Sequence, residues 1–311
     1  MSHDPVLSAA SRVQRVRHEL KRRTLQVVRV QVLSPGLRRV TFGGDELADF
    51  VSLSFDDHLK LFVPATDGAA PVARDYTPRC FDPVTRELSI DFALHGDGPA
   101  ARWARQAQPG QSVVIGGPRG SFVVPPDLDW HLLVGDASAL PAVTRRLEEL
   151  PAHATVFAIV QIPHAADRVT LHHTNGRQPL WVDDLAQCLD ALRALPPLNG
   201  EGFAWCAGEA ADMVAVRRVL LEEKGLDRLS VRAAAYWKRG AQAHQAARLE
   251  VTGLRDMSNH VPIVKRRIDA GFKVAKKLPA NPTLHFSGHQ FAIPQLTQLI
   301  GRYCDRPQRG R

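Results

Sequence analysis

The residues best equipped for chemistry stand together in Arg74-Asp75-Tyr76-Thr77-Pro78-Arg79. Two guanidiniums, a phenol and a hydroxyl fall in one short stretch. Pro78 biases Thr77 toward an extended backbone. Alternation then predicts Arg74, Tyr76 and Pro78 on one face, with Asp75, Thr77 and Arg79 on the other. A flat ring beside a fixed cation suits a ligand carrying both an aromatic system and a phosphate. A guanidinium pairs with phosphate bidentately and stacks on planar groups. An exposed strand end with scattered charges explains the same residues equally well.

Four turns are further candidates. His95-Gly96-Asp97-Gly98-Pro99-Ala100-Ala101-Arg102-Trp103 reads as a glycine-rich loop entering a helix, with Pro suited to its first position. Such an N-terminus presents free N–H groups to an anion; an ordinary connection is the plainer reading. Gly116-Gly117-Pro118-Arg119-Gly120 is a turn with a single central cation. Gly135-Asp136-Ala137-Ser138-Ala139-Leu140-Pro141 and Ala207-Gly208-Glu209 each follow an apolar run and precede a helical pattern. No G-x-G-x-x-G occurs in either, so the usual dinucleotide fingerprint is absent.

The elements that must position these residues change character midway. Short β-rich runs at 25–32, 38–42, 59–63, 74–78, 88–94 and 112–115 are separated by Gly and Pro, which predicts a small antiparallel barrel. After Pro125-Pro126 strands alternate with helices. Strands are expected at 131–134, 155–161, 180–182, 203–206 (with a turn at 207–209) and 230–236, and helices at 142–150, 185–195 and 210–224, with Gly225 as the stop. That order implies a parallel sheet, which binds ligands beyond the carboxyl ends of its strands. Residues 12–23 read as a polar, basic lead-in, exposed or helical, and residues 263–278 as a basic amphipathic helix. The division expected is a lead-in at 1–23, a barrel domain at 24–125, an α/β domain at 126–248 and a basic extension at 249–311.

A chain of 311 residues with 44% hydrophobic content can fill two cores. It has no apolar run of membrane-spanning length and no signal-peptide core, so a cytoplasmic monomer is expected. Cys80, Cys188, Cys206 and Cys304 form no C-x-x-C pair. That spacing argues against a structural zinc or a cysteine-held cluster, and fits a reducing compartment. The net charge of +8 is uneven. Residues 249–311 hold 11 Lys/Arg against 4 Asp/Glu and residues 1–23 hold 6 against 2, so the body carries −3. Sparse aromatics in the basic tail argue against stacking on nucleic acid.

Five stretches in order resemble the siderophore-interacting proteins, FAD-dependent ferric-siderophore reductases of the ferredoxin–NADP reductase-like superfamily. They are Asp57-His58-Leu59-Lys60-Leu61; Arg74 to Arg79; Asp91-Phe92-Ala93-Leu94-His95-Gly96 running into Gly98-Pro99-Ala100 and Trp103; Gly135-Asp136 to Leu140-Pro141-Ala142; and Tyr236-Trp237-Lys238-Arg239-Gly240. The resemblance covers about residues 25–247. It implies an antiparallel β-barrel FAD-binding domain followed by an α/β parallel-sheet NAD(P)H-binding domain.

By the resemblance, Arg74 neutralises FAD phosphate, Tyr76 packs on the isoalloxazine and Thr77 bonds near its reactive nitrogen. Asp91 and His95 line the same cleft, and Gly98, Pro99 and Ala100 cradle the pyrophosphate. Gly135, Asp136, Ser138, Ala139, Leu140, Gly208, Glu209 and Trp237 form the nicotinamide nucleotide site. Cys206 falls close to the nicotinamide or is a buried structural cysteine. Lys60, Arg119, Lys238 and Arg239 are nominated to dock an anionic ferric siderophore, against the plain reading of solvated charges. NADPH and NADH both remain open: Arg145 and Arg146 meet a 2′-phosphate or form an exposed basic helix face. Ala137-Ser138 departs from the acidic residue and threonine usual there, Gln242 and His244 stand where a glutamate is common, and residues 249–311 have no counterpart. The activity implied is NAD(P)H-dependent reduction of ferric siderophores through FAD. The rivals are a general NAD(P)H:flavin or ferredoxin-type reductase, and a flavoprotein whose basic tail binds nucleic acid or anionic membrane.

Overall fold

The computed structural model describes residues 9–64, 70–94, 96, 98–240, 283–286 and 289–292. The candidate basic helix and most of the extension lie outside them. In chain order the elements begin with α1 (Ala9–Arg12), β1 (Gln14–Arg17), β2 (Arg22–Ser34), β3 (Leu37–Gly43), β4 (Leu59–Val63), β5 (Val72–Tyr76), β6 (Cys80–Asp82) and β7 (Glu87–Ala93). There follow α2 (Pro99–Gln106), β8 (Ser112–Gly116) and β9 (Gly120–Val123). The second half holds β10 (Trp130–Asp136), α3 (Leu140–Glu149), β11 (Val156–Gln161), β12 (Leu180–Val182), α4 (Leu185–Ala194), β13 (Gly202–Glu209), α5 (Ala210–Arg218) and β14 (Val231–Trp237). Strands β15 (Thr283–Phe286) and β16 (His289–Ala292) pair with each other alone.

The first sheet is antiparallel, in the order β5-β4-β8-β2-β3-β7-β6. Its two edge strands, β5 and β6, are separated in sequence only by Thr77, Pro78 and Arg79. That link reaches about 14 Å when extended, so the sheet must curl until its edges face each other. The edges do not pair. The expected barrel is therefore a half-barrel with a seam, and the Arg74–Arg79 stretch is the seam. Period-two alternation sorts its faces. Leu88, Ile90 and Phe92 point into a core with Leu25, Phe42, Leu59 and Leu61, while Ser89 and Asp91 point the other way. Helix α2 covers the core with Ala100 and Ala104, and Trp103 stacks on Phe42.

The second sheet is parallel throughout, in the order β12-β11-β10-β13-β14. Alternate residues of β10 and β13 serve its two faces. Leu133, Trp205 and Ala207 meet α3 and the half-barrel, whereas Leu132, Val134 and Cys206 meet α4 and α5. The order reverses between β10 and β13, which makes a ligand crevice beyond their carboxyl ends.

Among its described residues the lead-in is neither mostly helical nor loose. Strand β1 pairs antiparallel with β9, which the sequence presents only as a turn. Arg12 pairs with Asp127 at 2.5 Å and Glu201 at 2.8 Å, and Phe122 lies between the guanidiniums of Arg15 and Arg232. Partners more than a hundred residues away set this conformation.

Helix α3 joins the sheets. Arg145 and Arg146, expected either to meet a 2′-phosphate or to form an exposed basic face, are 4% and 5% exposed. Arg145 donates from Nη1 to Ser52 Oγ at 2.8 Å and Pro78 O at 2.9 Å, from Nη2 to Ser52 O at 3.0 Å, and from Nε to Glu149 at 2.7 Å. Arg146 donates to the carbonyls of Val124 and Pro125 and lies over the Phe55 ring. Glu148 accepts from Arg79 Nη2 at 2.5 Å. Replacing Arg145 by Ala leaves buried acceptors unmet, and is expected to lower the unfolding free energy in urea by about 3 kcal/mol. Arg17→Ala, at an exposed position, should change it by less than about 0.5 kcal/mol.

Candidate active site

The seam divides the Arg74–Arg79 stretch into an open half and a bolted half. Arg74 and Tyr76 register opposite Leu61 and Leu59 of β4, so both lie on the core-side face at the sheet's edge. The Tyr76 ring centroid is 4.5 Å from that of Phe92, and burial holds its phenol protonated. Arg74 is half-buried and donates to its neighbour, the Ala73 carbonyl, at 2.8 Å. It pairs with no carboxylate among the described residues. Pro78 and Arg79, by contrast, are held by Arg145 and Glu148 of α3. Thr77 is buried between the halves.

Helix α2 contacts β5. Its N-cap is Gly98, which offers no side-chain cap, and Pro99 takes an early helical position that needs no donor. A Cβ on Gly98 would meet nothing among the described residues within 4 Å. The first turn of α2 presents backbone N–H groups with no side-chain cap. His95, expected to line the cleft, lies outside the described residues.

Asp91 takes a different part from the one expected. Its parity turns it away from Phe92 and Tyr76, and Arg39 holds both its oxygens at 2.6 and 2.8 Å. Arg79 Nε approaches at 3.9 Å, so Arg39, Asp91, Arg79 and Glu148 form one chain of alternating charge between the sheets.

At the second crevice the acids are likewise spoken for. Asp136 Oδ1 accepts from Ser138 N at 2.8 Å and Ser138 Oγ at 2.5 Å, while Oδ2 accepts from Glu209 N at 3.0 Å and Trp237 Nε1 at 2.7 Å. One carboxylate thereby ties the ends of β10, β13 and β14. Glu209 caps α5, accepting from Ala211 N and Asp212 N, and its other oxygen accepts from Arg239 N. Asp136, Ser138 and Glu209 therefore shape the crevice instead of facing a ligand with free groups. What remains open is backbone. A Cβ at Gly135 would lie 2.5 Å from Ala139 Cβ, and one at Gly208 2.7 Å from Asp136 Oδ2. Ala139 and Leu140 begin α3, which has no side-chain cap. Cys206 faces α4 and α5 beside Cys188, and burial pushes both thiols up, Cys188 to about 12. It is a core residue, away from the crevice.

The four nominated cations differ. Lys60 is exposed and pairs with Asp75 across the strands at 2.8 Å, on the face opposite Arg74 and Tyr76. Arg239 pairs with Asp212 at 2.8 Å. Arg119 and Lys238 are exposed with no described acidic partner, and Lys238 directly follows Trp237 at the crevice. Sequence reasoning assigned nothing to Asp56 or Tyr236. Asp56 is buried and accepts from Trp205 Nε1 at 2.9 Å and the Tyr236 hydroxyl at 3.4 Å. An acidic doublet ahead of β4 and the place of Tyr236 at the head of the Tyr236–Gly240 stretch were the signals in the sequence.

A family model described as a siderophore-interacting protein matches residues 128–240. One described as a siderophore-interacting FAD-binding domain matches residues 26–72 and 66–122. The chain is 40% identical over 245 residues to an NADPH-dependent ferric-chelate reductase of Escherichia coli, covering 72% of this chain and 96% of that one. It is 32% identical over 243 residues to the ferric vibriobactin reductase ViuB of Vibrio cholerae, covering 70% and 90%. Among solved structures, a siderophore utilization protein from T. fusca aligns with a TM-score of 0.70 at 34% identity, over 75% of this chain and 99% of that one. The siderophore-interacting protein SipS from Aeromonas hydrophila aligns with a TM-score of 0.63 at 31% identity, over 73% and 94%.

Beneath the seam, Asp57 is buried with Oδ1 unpartnered. Its Oδ2 accepts from Ser52 Oγ, Ser54 N and Ser121 Oγ, and Ser121 also meets His18 Nε2 at 2.8 Å. Burial outweighs these bonds and the Arg145 charge, and pushes the carboxyl up to about 6. The folded state therefore binds more protons than the unfolded state between about pH 4 and pH 6. Stability contributed by Asp57 falls as pH rises through that window. Asp57→Asn is expected to gain on the wild type by up to about 3 kcal/mol between pH 4 and pH 7. Urea titrations of both proteins across that range check this, and a pH-independent difference counts against it.

Proposed function

We propose that this chain, which belongs to the siderophore-interacting protein family, is an NADPH-dependent, FAD-containing reductase of ferric siderophores. The observation that supports the reading is that Arg74, a half-buried cation with no described carboxylate partner, lies on β5, the strand that contacts α2, whose start has no side-chain cap. Cation and N–H groups together suit a pyrophosphate, and Tyr76 beside them offers a ring for the isoalloxazine. Thr77 supplies the hydroxyl at its reactive edge. We assign the half-barrel, residues 24–125, to FAD and residues 126–248 to the nicotinamide nucleotide.

FAD, when bound, takes hydride and can release electrons singly, which matches a two-electron donor to a one-electron ferric acceptor. The chain's own residues position and neutralise. Arg74 and the N–H groups of Ala100 and Ala101 offset the phosphates. Gly135 and Gly208 let Ala139 and Asp136 pack directly on the backbone at the strand ends, and Ser138 to Leu140 lead into α3. Asp136 aligns the three strand ends around the crevice. Trp237, fixed by Asp136, walls the crevice. Hard oxygen donors grip Fe³⁺ more tightly than Fe²⁺, so reduction loosens the siderophore. NADPH is favoured by the E. coli relative's dependence on it, and Arg145 and Arg146 take no part in that choice because they are buried between the sheets.

Purified protein supplied with FAD should show flavin bands that bleach with NADPH and recover on adding a ferric siderophore. Recovery with ferredoxin or free flavin, and none with a ferric chelate, would favour a general reductase. Among the nominated cations, Lys238 is the one at the crevice without a described acidic partner. Lys238→Ala is expected to raise KM for an anionic ferric siderophore about fivefold, the loss of one partly screened charge contact. KM for a neutral ferric chelate should stay unchanged; equal effects on both would remove Lys238 from docking.

A further inference from the structure

We propose that His18, Ser121 and Asp57 form a relay that carries a proton between the buried seam and solvent, and that it discharges the proton set free when ferric iron oxidises NADPH. The discharge rests on the reductase reading given above; the relay itself rests on three contacts. Ser121 Oγ lies 2.8 Å from Asp57 Oδ2 and 2.8 Å from His18 Nε2, and it accepts from Leu53 N at 3.2 Å. A serine hydroxyl has one proton and two lone pairs. Ionised Asp57 only accepts, so Ser121 donates to it. Leu53 takes one lone pair of Ser121, and the other accepts from His18, whose Nε2 then carries hydrogen.

The same heavy atoms accommodate the reverse order. With Asp57 protonated on Oδ2, Asp57 donates to Ser121 and Ser121 donates to His18 Nε2. Passing from the first order to the second breaks the imidazole N–H and forms a serine O–H, while the old serine O–H breaks and a carboxyl O–H forms. One proton moves between ring and carboxyl, and no heavy atom has to shift.

The two ends suit the task. His18 is half-buried, whereas Asp57 is 1% exposed. Burial lowers the imidazole from its ordinary value near 6.5 and pushes the carboxyl up to about 6, so neither end traps the proton. Arg145 of α3 is the charge that bears on Asp57, and Asp56 beside it in sequence is engaged by Arg232 and Trp205. Asp57 Oδ1 is buried with no hydrogen-bond partner, so a proton can arrive there without a bond being given up. Ser52 Oγ donates to Asp57 Oδ2 at 2.9 Å and accepts from Arg145 Nη1 at 2.8 Å, and that nitrogen reaches the Pro78 carbonyl at 2.9 Å, one residue from Thr77. Oxidising one NADPH with two ferric ions yields NADP⁺, two Fe²⁺ and one proton. Iron takes the electrons only, so the proton needs a carrier of its own.

Two measurements on the full chain test this, with near-ultraviolet circular dichroism confirming each fold. The first is the His18 titration by ring-nitrogen NMR. Asp57→Asn should lower its midpoint, because an ionised carboxylate at the far end favours the imidazolium. With Ser121→Ala already in place, the same change should lower it by less than about half as much, since the hydroxyl carries the coupling. Equal lowering in both backgrounds overturns the relay. The second uses FAD-loaded protein reduced with one equivalent of NADPH and mixed with a ferric chelate, the released proton being read by an indicator dye in weak buffer. His18→Gln keeps a donor for Ser121 but cannot pass a proton on. It should slow the dye signal by about tenfold or more, with added imidazole restoring it. This variant, at a half-buried position, decides the matter alone should Ser121→Ala not fold. Proton release at the wild-type rate in His18→Gln overturns the proposal and leaves the reductase reading intact. A wild type that takes up no flavin overturns both.

Discussion

The Arg145 guanidinium sets the relation between the two sheets. It leaves α3 of the parallel sheet and ends on Ser52 and on the carbonyl of Pro78, within the three-residue link that joins the edges of the half-barrel. One side chain therefore grips the seam where the curled sheet would otherwise be free to open. The Arg79–Glu148 contact grips it a second time from the same helix. Helix α3 begins at the crevice of the parallel sheet and docks on the seam through its last two turns. Anything bound at the helix's start is held at a fixed distance from anything bound at Arg74 and Tyr76. Such fixed placement is what a protein contributes when its cofactors carry the chemistry.

Burying these charges is costly unless each is paired and hydrogen-bonded. The chain meets that requirement by alternation. Arg39, Asp91, Arg79 and Glu148 follow one another with opposite signs, and Arg146, which lacks a nearby acid at bonding distance, spends its donors on two carbonyls and an aromatic face. Burial still pulls its guanidinium down to about 10, against an ordinary value near 12.5. Asp56 and Asp57 are neighbours in sequence but diverge in use. One orders Trp205, Arg232 and Tyr236; the other sits among Ser52, Ser54 and Ser121.

Most strands of both sheets were legible because their patterns are local, whereas the three-residue edge strand β6 was too short to show one. Alternation marked β2, β3 and β7, and continuous apolar runs marked β10 and β13. Glycine was legible where close approach requires it, at Gly135 and Gly208. The destinations of charged side chains were not. Arg145 and Arg146 look like a solvated pair on a helix, and only the packing of a distant loop reveals them as buried. Asp91, Asp136 and Glu209 were read as ligand groups because the resemblance implied it. Each instead has its oxygens taken by arginine, tryptophan or backbone donors from elsewhere in the chain. Strand β1 was illegible for the same reason: its partner β9 lies more than a hundred residues on, and its own residues are mostly exposed.

These internal pairings decide where charge is left over to meet a ligand. The chain's net +8 resides in its ends, and the body carries −3, so no broad positive field covers the crevice. Lys60 and Arg239 look like docking cations in sequence, yet each already faces an aspartate at 2.8 Å. An incoming anion would have to displace that aspartate, and a mostly solvated pair offers little net attraction to a third charge. Arg74 and Lys238 differ because no described acid competes for them. Arg74 is also half-buried, and burial lowers its hold on its own charge. A cation destabilised by burial gains more from an arriving phosphate than a solvated one does, because the phosphate replaces the lost water. The same accounting that removes most acids and bases from the site leaves Arg74 as a half-buried cation with no described carboxylate pairing it, at the opposite end of the seam stretch from the residues that Arg145 and Glu148 hold.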